Sequence, residues 1–187
     1  MNPILPHPLL LNAETSAVLI VDMQQKLLDI QPNPNAIISR ITVLLKAAAE
    51  LEVPLIATTQ NAGKLGPVIL ELQQLLPSSP ADKFSFSCCD VPDFMLQLER
   101  SGRRQALLCG VEAHICICQT ALGLLQAGYQ VHLLTDAVSS RREEDKSAGI
   151  EKILQAGGVS CSVEMALYEW VRHANTPQFL KILALAR

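Results

Sequence analysis

A chain of 187 residues, 49 % of them hydrophobic, is long enough to bury one sizeable core, and a single domain spanning 1–187 is expected. A formal charge of −3 provides no basic field to hold a polyphosphate backbone, so nucleic acid is not an expected partner. The opening "MNPILPHPLLLNAE" lacks the positive start and continuous apolar stretch of a secretory signal, and no apolar run reaches membrane-spanning length; the expectation is a cytoplasmic protein with no membrane partner.

In chain order, "SAVLIVDM" (16–23) reads as a buried strand and "NAIISRITVLLKAAAELE" (35–52) as a helix, followed by a strand in "VPLIATTQ" (53–60) and a helix in "PVILELQQLLP" (67–77). "FSFSCC" (84–89) is a weaker strand candidate because its alternation is polar. A helix over "VPDFMLQLERSG" (91–102), a strand over "QALLCGVE" (105–112), a helix over "CICQTALGLLQAG" (116–128) and a strand over "YQVHLLTDAV" (129–138) come next. "REEDKSAGIEKILQAGG" (142–158) reads as a helix and "GVSCSVEMAL" (158–167) as a strand. Glycines 102, 128 and 157/158 stand where helices commonly end. Regular alternation of strand and helix predicts an α/β protein: three layers, α/β/α, around a mostly parallel sheet of about six strands. The C-terminal "NTPQFLKILALAR" carries cap and start signals before a strongly apolar segment, which suits either a partner surface or packing within the chain.

In such sheets, working groups gather at the carboxyl ends of strands. Those ends carry Asp22, then Thr58, Thr59 and Gln60, then Glu112 to Cys116, and Asp136. "VDMQQKLL" replaces the glycine-rich phosphate loop at the first strand, which removes support for a nucleotide-binding reading. Six cysteines without a framework spacing indicate reduced thiols. His114, Cys116 and Cys118 alternate, and on a helix such neighbours point about 200° apart, so they form no metal site. Taken singly, Asp22 serves equally well as a turn or cap carboxylate, and Lys83 in "PADKFSFS" as a solvated loop cation. Cys116 stands apart, because a thiol at a helix start meets unpaired N–H groups that favour the thiolate. Cys109 and Cys118 read as packing residues.

"AVLIVDMQQKLL", "DKFSFS" and "LLCGVEAHICICQTALGLLQAGYQVHLLTDAVSSR", in this order, resemble the isochorismatase-like cysteine hydrolase family, and the likeness covers nearly the whole chain. The resemblance implies a Rossmann-like hydrolase fold and places that family's Asp, Lys, Cys triad on Asp22, Lys83 and Cys116. It further implies thioester chemistry on a small amide or related C–N bond. The backbone N–H groups of Glu112 and Cys116 become the oxyanion hole, with a cis peptide between Val111 and Glu112. Gln60 and His114 are carried as pocket candidates, although His114 reads more simply as satisfying a local backbone group. Asp136 and the serines and arginine at 139–141 read as structural supports of the loop over the pocket.

Departures narrow the activity. Family amidases that hydrolyse nicotinamide carry a histidine-containing metal site after the second strand, whereas this chain has "ATTQNAGKLGP" there and no histidine between 8 and 113. No cofactor and no metal are therefore expected, and the stretch is closer to the loop of the uncharacterised isochorismatase-domain subgroup, with Thr59 where glutamate is usual. True isochorismatases lack the cysteine nucleophile, so Cys116 argues against that reaction. The partners expected are a small-molecule substrate and, as in family members, further copies of the chain in a dimer or higher homo-oligomer. Two other readings compete: a weakly active or silent scaffold serving assembly or protein binding, and a thiol redox enzyme built on Cys116 and Cys118.

Overall fold

The computed structural model describes residues 7–186; the first six residues of the N-terminal stretch and Arg187 lie outside them. Six strands form one sheet in the order β3-β2-β1-β4-β5-β6: β1 (Ser16–Val21), β2 (Leu55–Gln60), β3 (Ala81–Lys83), β4 (Gln105–Val111), β5 (Gln130–Ser139) and β6 (Val159–Cys161). Every pairing between them is parallel. The helices are α1 (Gln25–Leu28), α2 (Pro34–Glu50), α3 (Ala62–Leu65), α4 (Leu70–Gln73), α5 (Pro92–Arg100), α6 (Cys118–Gln126), α7 (Glu143–Gln155), α8 (Val163–Val171) and α9 (Pro177–Ala186). A π-helical turn, Ala113–Ile117, runs directly into α6.

The alternation of β1 explains the layers. Val18 and Ile20 point into a core shared with Leu44, Leu45 and Trp170, whereas Ala17, Leu19 and Val21 point into one shared with Phe94, Leu98 and Leu124. With both faces covered, every residue of β1 and β4 is buried, which is why their sequences after Ser16 and Gln105 are continuous apolar runs. Strand order reverses at β1, with β2 on one side and β4 on the other. A crevice therefore opens at the carboxyl ends of β1 and β4, and Asp22 and Glu112 are the residues that leave those two strands.

Three expectations are corrected. The edge strand is Ala81–Lys83, paired with Thr58–Gln60, and "FSFSCC" is not a strand: Phe84 and Phe86 are exposed in a turn, and Ser87 caps a 3₁₀ turn over Cys88–Asp90. "GVSCSVEMAL" yields only three strand residues before Ser162, whose hydroxyl accepts the Met165 N–H, starts α8. Val163, Ala166, Leu167 and Trp170 are then buried at helical spacing, so the apolar run belonged mainly to a helix. "PVILELQQLLP" is helical only over Leu70–Gln73.

The C-terminal segment packs within the chain. α9 lies on α2 and α8, with Ile182 in the core, Phe179 edge-on to Tyr168 and Lys181 paired with Glu50. Leu180 of the same helix stays exposed.

Candidate active site

Asp22, Lys83 and Cys116 converge in the crevice although 61 and 33 positions separate Lys83 from the other two. Lys83 ends β3 with its ammonium fully enclosed; Nζ donates to Asp22 Oδ2 at 2.6 Å and to Gln60 Oε1 at 2.6 Å. Its remaining reach is shared between Ser85 O at 3.4 Å and Cys116 Sγ at 3.5 Å. Asp22 Oδ1 accepts from the Thr58 hydroxyl at 2.8 Å, so both carboxylate oxygens are held by donors. Because the Thr58 proton points at Asp22, the contact of 3.7 Å between Thr58 Oγ1 and Cys88 Sγ runs from the Cys88 thiol to the threonine oxygen.

Supporting residues fix these side chains. Gln60 Nε2 donates to Phe84 O at 3.1 Å, which turns its Oε1 toward Lys83 and leaves it 4.0 Å from Cys116 Sγ. Buried Gln24 holds the Gln60 backbone by accepting its N–H at 2.7 Å and donating to its carbonyl at 3.0 Å. Asp22 and Glu112 both adopt left-handed backbone conformations, φ 56° and φ 58°. Each costs roughly 1–2 kcal/mol in a non-glycine residue, which the surrounding bonds must offset. Gly110, just before that turn, has φ +130° and lies so close to β1 that a Cβ would stand 2.1 Å from Val21 O.

Electrostatics here differ from the expectation of a helix-activated thiolate. Burial pushes the Cys116 thiol up to about 12, the Asp22 carboxylate pushes the same way, and Lys83 only partly opposes them. Cys116 is also the fourth residue of the π-helical turn, not the first of an α-helix. Burial and the Asp22 charge thus favour the thiol over the thiolate. Burial works to lower Lys83, but the Asp22 charge and hydrogen bond oppose it, and the ammonium is held above its ordinary value.

A cavity of about 210 Å³ opens against the thiol, lined by Cys116, Gln60, Glu112 and Arg141 together with apolar side chains. Glu112 is buried; Oε1 accepts from Gln31 at 2.9 Å, and Oε2 accepts from Arg141 Nε and Nη2, both at 3.2 Å. Arg141 thus belongs to the pocket rim, beyond the structural role read from sequence, whereas Asp136 is structural, accepting the Val163 N–H at the start of α8. His114 stands outside the cavity and bonds the Ser140 hydroxyl at 2.9 Å, a side chain instead of the backbone group expected. The peptide between Val111 and Glu112 is trans, and the chain turns there through the left-handed Glu112. All six cysteines are free. Among the described residues no cluster of three or more His, Cys, Asp or Glu is arranged to hold a metal.

Comparison with known proteins shows the family of the chain. Residues 16–165 match the isochorismatase domain model. The chain belongs to the isochorismatase family. It is 33 % identical over 193 residues to the secreted isochorismatase effector Isc1 of Phytophthora sojae, covering 100 % of this chain and 88 % of that protein. Among solved structures, this isochorismatase-family chain resembles the MAR1 ribonuclease of Caenorhabditis elegans, with a TM-score of 0.88, 31 % identity and coverage of 94 % and 91 %. It also resembles YcaC of Pseudomonas aeruginosa bearing hexane-2,5-diol and covalent acrylamide, with a TM-score of 0.89, 25 % identity and coverage of 96 % and 92 %. The parallel six-stranded sheet with helices on both faces is the isochorismatase-like α/β fold.

Proposed function

We propose that this isochorismatase-family chain is a hydrolase that cleaves a small amide or related C–N bond, with Cys116 as nucleophile, Asp22 as proton acceptor and donor, and Lys83 as the fixed cation between them. The observation that carries this reading is the position of Lys83 Nζ, 2.6 Å from Asp22 Oδ2 and 3.5 Å from Cys116 Sγ, beside a cavity that reaches the thiol.

Because the thiol is held up at about 12, its proton leaves as sulfur attacks, not before. Asp22 takes that proton while Sγ bonds to the substrate carbonyl carbon, and the carbonyl oxygen becomes an oxyanion. Backbone N–H groups of Cys116 and Glu112 are the proposed donors to it. Collapse breaks the C–N bond; the amine leaves with the proton from Asp22, and a thioester remains. Asp22 then deprotonates a water, which attacks the thioester carbonyl, and the departing sulfur regains its proton from Asp22. Lys83 stays protonated throughout, orienting the carboxylate and lowering the energy of charge on sulfur.

The six free cysteines fit a reducing compartment, so we place the protein in the cytoplasm, although the Phytophthora relative is by name secreted. Assembly into a homo-oligomer is part of the same proposal. The C. elegans protein is by name a ribonuclease; the net charge of −3 and the small cavity here favour a small substrate. The test is ammonia release from a panel of short amides. Wild-type protein is expected to turn over at least one of them, and Cys116→Ala to lower that rate by about 10⁴-fold or more. Equal turnover by Cys116→Ala would reject the nucleophile.

A further inference from the structure

The cavity beside Cys116 has unequal resources for recognition. Leu27, Ile30, Leu65, Phe86 and Ile115 supply its apolar wall. Its polar side chains are already engaged: Gln60 accepts from Lys83 and donates to Phe84 O, and Glu112 accepts from Gln31 through one oxygen and from Arg141 through the other. Arg141 is half-exposed at the rim, and its Nε and Nη2 both face Glu112 Oε2 at 3.2 Å, so its charge is balanced by a buried carboxylate. A polar or charged substituent drawn past the rim would lose its water and find no free partner beyond the Nη1 group of Arg141, whereas an apolar one loses nothing.

We infer that the site is specific for a short, neutral, apolar substituent on the substrate carbonyl compound, which packs against the Leu27, Ile30, Leu65, Phe86 and Ile115 wall. This rests on the cysteine-hydrolase reading and adds the substrate class to it. The volume of about 210 Å³ suits a short substituent.

The test uses the intact protein and two alkylating probes of similar size, N-propyl iodoacetamide and its N-(2-carboxyethyl) counterpart, with iodoacetamide as the short reference. In each case Sγ of Cys116 bonds to the iodomethyl carbon, the C–I bond breaks, iodide leaves, and Asp22 takes the thiol proton. Rates at Cys116, found by peptide mass mapping, are divided by those with 2-mercaptoethanol. The propyl probe is expected to react at least tenfold faster than the carboxyethyl probe, and Leu65→Lys to shrink that ratio to threefold or less. A ratio near one, a preference for the anion, or no response to Leu65→Lys overturns the inference while leaving the nucleophile standing. If no probe labels Cys116 faster than Cys89, or Asp22→Asn leaves labelling unchanged, the cysteine-hydrolase reading fails and the inference falls with it.

Discussion

Lys83 is the residue on which the site turns, because a buried ammonium persists only with a buried anion beside it. Removing it with Lys83→Met leaves the Asp22 carboxylate enclosed with Thr58 as its remaining donor of those seen here. Chemical denaturation is expected to show a loss of about 3–5 kcal/mol for Lys83→Met, with most of it recovered in the Asp22→Asn, Lys83→Met double variant. A loss below about 1 kcal/mol would mean that water reaches the pair. Much of this was beyond reach of residue types alone, since an aspartate after a strand and a lysine in a loop have ordinary explanations. Motif order grouped them with Cys116. The Thr58 donor and the Arg141–Glu112 pair at the rim were missed because they depend on side-chain direction, which strand and helix periodicity does not encode. The ionisation of Cys116 was misjudged for a related reason: proximity to a helix start was visible, while its burial and the nearby Asp22 charge were not.

At the scale of elements, the π-helical turn Ala113–Ile117 sets where Cys116 sits, and α7 clamps it. A Cβ on Gly149 would lie 2.7 Å from His114 Cα and 2.8 Å from Ala113 O, both backbone atoms that cannot swing aside. Gly149→Val is therefore expected to cost about 1–3 kcal/mol and to slow reaction at Cys116 by shifting the turn, with the circular dichroism of the fold retained. Unchanged stability and reactivity would show that α7 plays no part in placing the nucleophile. The central strands were readable because they are buried on both faces and therefore continuously apolar. Residues 158–167 misled for the same reason: a short apolar run fits a buried strand or a buried helix face equally, and the Ser162 cap decides between them.

Across the whole molecule, the reactive crevice is one polar departure from a dry core, and His132 is another. It is buried in β5, both ring nitrogens lack a partner among the described residues, and burial lowers it to about 4. The folded protein thus holds His132 neutral while the unfolded chain takes up a proton below its ordinary 6.5. This contribution to stability is complete above pH 6.5 and is lost as pH falls from 6.5 toward 4, by about 3 kcal/mol at most. His132→Leu is expected to flatten the denaturation midpoint over that window; an unchanged slope would assign the acid sensitivity elsewhere. No helix among the described residues is long and apolar enough to cross a membrane. Phe84 and Phe86 are exposed, and Phe86 lines the cavity.

The nucleophile assignment is tested most directly by alkylating the intact protein with iodoacetamide across pH, and mapping the modified cysteine in wild type, Asp22→Asn and Lys83→Ala. Wild-type Cys116 is predicted to react at neutral pH faster than the more accessible Cys89 despite its raised thiol, because Asp22 accepts the proton during attack and Lys83 receives the charge. Lys83→Ala is predicted to remove that advantage, and Asp22→Asn, which takes away both the proton acceptor and a charge that holds the thiol up, to change its pH dependence. Labelling of Cys116 no faster than Cys89, or indifferent to the loss of Asp22 and Lys83, would contradict the coupled site.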